Sequence, residues 1–113
     1  MTLAVVRSIG TARGLRTIEE LEDFEQELVD QSALAMAGSG LTDGHISRDR
    51  ATVFEFIAFL GRPVWTATPE DGDRFLSRLR RERRNSKSTV QTKAWTIGRF
   101  FEFIIARYQG DIH

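Results

Sequence analysis

The sequence predicts an all-α protein, a four-helix bundle with short connections and a flexible N-terminal arm. Two observations carry this. Apolar residues recur at helical intervals in four separate stretches, and no stretch alternates as a strand would. Each stretch also opens on its own start signal, a hydroxyl residue followed by acids, a proline or a glutamine, and the first two close on glycine. A chain of 113 residues fits one domain and can bury a single core.

Residues 1–16 carry Gly10, Gly14 and three arginines but no sustained period, and read as the arm. Thr17-Ile18-Glu19-Glu20 then has the spacing of a capping box. Ile18, Leu21, Phe24, Leu28 and Leu34 follow at helical intervals until Gly38-Ser39-Gly40 stops the helix. Thr42-Asp43 announces a second helix. Ile46, Val53, Phe54, Ile57 and Leu60 form its periodic part, with Gly61 and Pro63 just beyond. Arg48, Thr52 and Glu55 fall opposite, while Phe56 and Phe59 widen the apolar arc.

The third start is Thr68-Pro69-Glu70-Asp71, a capping hydroxyl with proline at the first helical position and acids in the first turn. Phe75, Leu76 and Leu79 follow, and the helix runs out into Arg80-Arg81-Glu82-Arg83-Arg84. Basic residues suit a helix C-terminus, which explains part of that cluster without any ligand. After a turn at Asn85-Ser86-Lys87, Ser88-Thr89-Val90-Gln91 reads as a further capping box. The fourth helix is expected to run to about Tyr108, with Val90, Ala94, Ile97, Gly98, Phe101, Ile104 and Ile105 on one stripe. Thr92, Trp95, Thr96, Arg99 and Phe103 lie on the far side, where two aromatics require a partner.

Composition excludes several classes of function. With no cysteine there is neither disulfide nor thiolate chemistry, and two histidines are too few for an ordinary structural zinc site. No apolar run approaches the ~18 residues of a membrane span. The expectation is a cytoplasmic protein with no cofactor and no small-molecule substrate. Net charge is zero, yet the charge is segregated. Seven acids and no base lie between Glu19 and Asp30, whereas eight bases and one acid lie between Arg78 and Arg99. Such a local field acts over roughly 8 Å at physiological salt whatever the total charge.

The order of these segments resembles a known family. A capped helix ending in Phe-x-x-Phe-Leu precedes Thr-Pro-Glu-Asp with Phe-Leu-x-x-Leu, then a basic turn, then Ser-Thr-Val-x-x-Lys leading to Phe-Phe-x-Phe. This is similar to the N-terminal core-binding, or SAM-like, domain of tyrosine recombinases and phage integrases. The matching segments are 42–60, 68–79 and 88–108, with 17–37 as a first helix, so the domain spans 17–108. Residues 109–113 would begin a linker to a catalytic domain that this chain lacks. The resemblance implies a nucleoid-associated clamp on double-stranded DNA, acting in DNA integration or recombination, with other recombinase protomers as neighbours.

Carried over by position, the DNA-binding candidates on the second helix are His45, Arg48 and Thr52. Before and along the fourth they are Arg83, Arg84, Lys87, Ser88, Thr89, Thr92, Lys93, Thr96 and Arg99. The chemistry of these residues agrees, since hydroxyls and long cations are the donors that phosphate oxygens accept. Lys87, Ser88, Thr89, Arg83 and Arg84 are assigned to the backbone, and Thr92, Thr96 and Arg99 to base edges.

No catalytic residue is expected. His45-Ile46-Ser47-Arg48 matches the H-x-x-R of the family's catalytic domain, but it lies in the segment that resembles the DNA-facing second helix. Tyr108 falls on the core stripe, and cutting a strand through tyrosine needs several converging cations. The alternative reading is a helical protein-interaction or oligomerisation module that does not bind DNA, built on the apolar fourth helix.

Overall fold

The computed structural model describes residues 17–107. The expected arm, Tyr108 and the linker lie outside the described residues. Among the described residues four helices are observed: α1 (Ile18–Gly38), α2 (Asp43–Leu60), α3 (Pro69–Arg81) and α4 (Lys87–Arg107), with a 3₁₀ turn at Val64–Thr66 between α2 and α3. α2 and α4 pack on each other at the centre, and α1 and α3 each pack on both. No described helix is long and apolar enough to cross a membrane.

Caps fix the helix starts. The Thr17 hydroxyl accepts the Glu20 N–H at 3.0 Å, and Thr42 accepts the N–H of His45 at 3.2 Å. At α3 the box is complete: Thr68 accepts the Asp71 N–H, and the Asp71 carboxylate accepts the Thr68 N–H at 2.8 Å. α2 ends at Gly61, whose φ of 69° is the left-handed value that glycine adopts without strain. The fourth start differs from expectation. Ser86, not Ser88, caps α4, its hydroxyl accepting the Thr89 N–H at 3.2 Å. Ser88 and Thr89 therefore sit inside the first turn, facing out.

The core is aromatic. Phe56, 1% exposed, meets Phe75 of α3 edge-on at 5.2 Å and Phe101 of α4 at 6.2 Å, so one ring joins three helices. Phe24 packs against Trp65 at 5.4 Å and ties α1 to the 3₁₀ turn. The buried residues of α2 are Asp49, Thr52, Val53, Phe56 and Leu60. This stripe is rotated from the expected one because two of its members are polar. α1 shows the same effect: Ser32 is buried, while Ile18 and Leu34 are 75% and 64% exposed.

Two carboxyls illustrate how packing tunes charge. Burial pushes the Glu25 carboxyl up, opposed by the Val64 N–H that it accepts at 2.7 Å and reinforced by nearby Glu22. Burial acts in the same sense on Asp71, but there the hydrogen bonds win. The Thr68 N–H and hydroxyl, with Arg74 and Arg62, hold it at about 2, below the ordinary 3.8.

Because the folded value of Asp71 is depressed, its contribution is complete above about pH 4 and is lost as pH falls towards 2. Asp71→Asn is expected to lower stability by about 2 kcal/mol at neutral pH, and the gap from wild type to close below about pH 4. Urea denaturation across that range checks both statements. Phe56→Ala should cost about 3–5 kcal/mol in the same assay, since no neighbour can fill the space between three helices.

Candidate nucleic-acid interface

The packing of α2 against α4 leaves a groove of about 580 Å³ between them. Eight of the twelve candidate residues line it: His45, Arg48, Thr52, Ser88, Thr89, Thr92, Lys93 and Thr96. Their convergence follows from periodicity, because Arg48 and Thr52 lie one turn apart on α2 while Ser88, Thr92 and Thr96 climb α4 at the same spacing. Asp49 and Glu55 also border the groove.

Its floor is a network centred on Asp49, a buried carboxylate. The Thr96 hydroxyl donates to it at 3.0 Å and Arg99 at 3.2 Å. His45 places Nε2 at 3.2 Å from the same carboxylate, although the alignment is not that of a hydrogen bond and this nitrogen is otherwise unpartnered. Asp49 is not among the residues that the sequence points to. The signal was present in the 49, 52, 53, 56, 60 spacing, a helical stripe hidden by its two polar members.

This network changes what several candidates can do. Thr96 is buried and its hydroxyl is already committed, so it forms the floor and does not project towards a base. The Thr52 hydroxyl is buried and donates to the Arg48 carbonyl, and the Thr92 hydroxyl donates to that of Ser88. These donors are therefore occupied within the helices, which leaves the oxygens as acceptors. Arg99 is drawn away from the groove and borders a separate cavity of about 220 Å³ that α1 lines with Ser32 and Met36. Lys93 is half-buried between Glu55, at 2.9 Å, and Asn85.

Most of the remaining cations lie at one end, with Arg107, exposed and unpaired among the described residues, the exception at the far end of α4. Arg78 pairs with Glu82, and Arg80 donates to the Asn85 carbonyl. Arg48, Arg81, Arg83, Arg84 and Lys87 are exposed and have no acidic partner among the described residues. The acids of α1 do not neutralise them; Asp30 pairs instead with Arg50 of α2 at 2.6 Å. Arg83 lines a smaller hollow that shares Glu55 with the main groove, so the free charge continues the groove past the start of α4. There the first N–H groups of α4, which no helix satisfies internally, add positive potential. Arg84 itself holds a left-handed backbone, φ 51°.

Among the described residues no group of His, Asp or Glu is placed to hold a metal ion. Asp49→Asn is expected to weaken the tie from α2 to α4 and to release Arg99, lowering stability by about 1–3 kcal/mol in thermal or urea denaturation. Comparison with family models, with curated proteins and with solved structures returns no match.

Proposed function

We propose that this chain is a non-catalytic module that binds double-stranded DNA, of the type found at the N-terminus of tyrosine recombinases. α2, α4 and the turn at 82–87 form the contact surface, and its place in a cell is with the nucleoid. One observation carries the DNA reading: exposed cations without acidic partners gather where the α2–α4 groove meets the N-terminus of α4. The recombinase assignment rests on the cap and core motifs alone.

Within this reading Arg83, Arg84, Lys87 and Arg48 contact phosphates, and Ser88 and Thr89 lie beside the same backbone. Thr89 is the better donor of the two, because it accepts from Ser86 and its own proton is uncommitted. Few phosphate contacts mean weak binding with a steep salt dependence.

Arg83, Arg84 and Lys87 changed together to glutamate should abolish retardation of a duplex at low salt, while the melting temperature stays within a few degrees of wild type. Single changes should flatten the slope of log affinity against log salt by roughly 0.9 each. Unchanged retardation by the triple variant would falsify the assignment. A second reading, a protein-interaction module, is favoured by the exposure of Trp95 and Leu34. Self-association in sedimentation that added duplex leaves unaltered supports it.

A further inference from the structure

Two side chains of α4 have no role inside the bundle. Trp95 is 67% exposed, whereas Trp65 is buried against Phe24. Gln91, one turn earlier, is exposed and makes no hydrogen bond among the described residues. Spaced i and i+4, the two lie one above the other on the outward face of the helix. Around them are Ser88, Thr92 and Arg99, all exposed.

We propose that Gln91 and Trp95 form a readout pair for adenine–thymine base pairs in the major groove, an inference that rests on the DNA-binding reading above. The chemistry is specific. A carboxamide can donate to adenine N7 and accept from its N6 amino group at once, and thymine alone presents a methyl group there. The Trp95 ring offers that methyl an apolar surface. Thr92, between them, has its proton committed to the Ser88 carbonyl, which leaves the Gln91 amide as the uncommitted hydrogen-bonding group at the centre of this face.

Charge selects duplex DNA as the occupant. Lys87 lies one turn before Gln91, and Arg83 and Arg84 flank the approach, all without acidic partners among the described residues. Glu102, exposed two turns beyond Trp95, would meet the phosphate wall. The insertion is therefore confined to the N-terminal three turns of α4, and a helix of about 10–12 Å diameter fits a groove roughly 12 Å wide. A protein partner would find a single ring surrounded by polar side chains, a poor interface core.

The test compares binding of the full chain to three duplexes at low salt: alternating adenine–thymine, alternating adenine–uracil, which lacks only the methyl, and alternating guanine–cytosine. Wild type should prefer the thymine duplex to the uracil one by about threefold or more, and Trp95→Ala should bind both equally. Gln91→Ala should reduce the preference for adenine–thymine over guanine–cytosine while keeping the thymine–uracil difference. Emission from Trp95 should change on adding the thymine duplex. If wild type binds duplex DNA but ignores the methyl, the readout pair is overturned and the DNA-binding reading stands. If wild type binds none of the three, both fall. Self-association that Trp95→Ala abolishes, with equal binding to the thymine and uracil duplexes, assigns the ring to a second copy and also overturns the proposal.

Discussion

The tie between α2 and α4 governs the rest of this molecule, and Asp49 is its centre. A carboxylate removed from water must be compensated, and here Thr96 and Arg99 compensate it from the opposite helix. The edge-on contact of Phe56 with Phe101 also holds the two helices, but apolar contact has no directional requirement of its own. Hydrogen bonds to one carboxylate do have one. They fix the rotation of α4 against α2, and with it which residues of each helix form the groove between them.

Much of this architecture could be read from the chain. The starts at Thr17, Thr42 and Thr68 are where caps were expected, because capping is local chemistry that a sequence states directly. The four-helix, all-α class follows from the same signals. What could not be read was the rotation of each helix about its own axis. Hydrophobic periodicity assumes that the buried stripe is apolar, and in all four helices it includes a polar residue. Ser32 and Thr96 are buried where α1, α2 and α4 share a polar seam around Asp49, and Thr52 is buried on α2 with its hydroxyl returned to the Arg48 carbonyl. Periodicity therefore puts Leu34 inward and Thr96 outward, whereas Leu34 is exposed and Thr96 is buried. The fourth cap was displaced by two residues because Ser86 and Ser88 both carry a hydroxyl three residues before a plausible partner.

The candidate surface was legible in position more than in chemistry. Spacing alone brought residues of α2 and α4 to one groove, since both helices repeat every turn. It could not indicate which hydroxyls spend their protons on carbonyls of their own helix, or which cations are matched by Glu55, Glu82 or Asp49. Those pairings divide the basic stretch into two classes. Some of its charge maintains the fold, and the remainder, around the turn before α4, faces solvent. Since α1 carries its acids on a different element, charge is segregated among the described residues although the net charge of the sequence is zero. Under the proposed DNA-binding reading, that segregation would turn an approaching duplex towards the basic turn before α4.

The backbone at Arg84 adds a constraint of another kind. A left-handed residue with a side chain is disfavoured by roughly 1–2 kcal/mol relative to a right-handed one, and glycine would relieve most of that. The left-handed dihedral turns the chain within the short connection from α3 to α4 and sets the Arg84 backbone at its bend. A turn of this kind cannot relax by simple extension without unwinding the end of α3 or the first turn of α4. The turn thus sets where this cation is attached, and the reach of its charge is limited to the length of one exposed side chain.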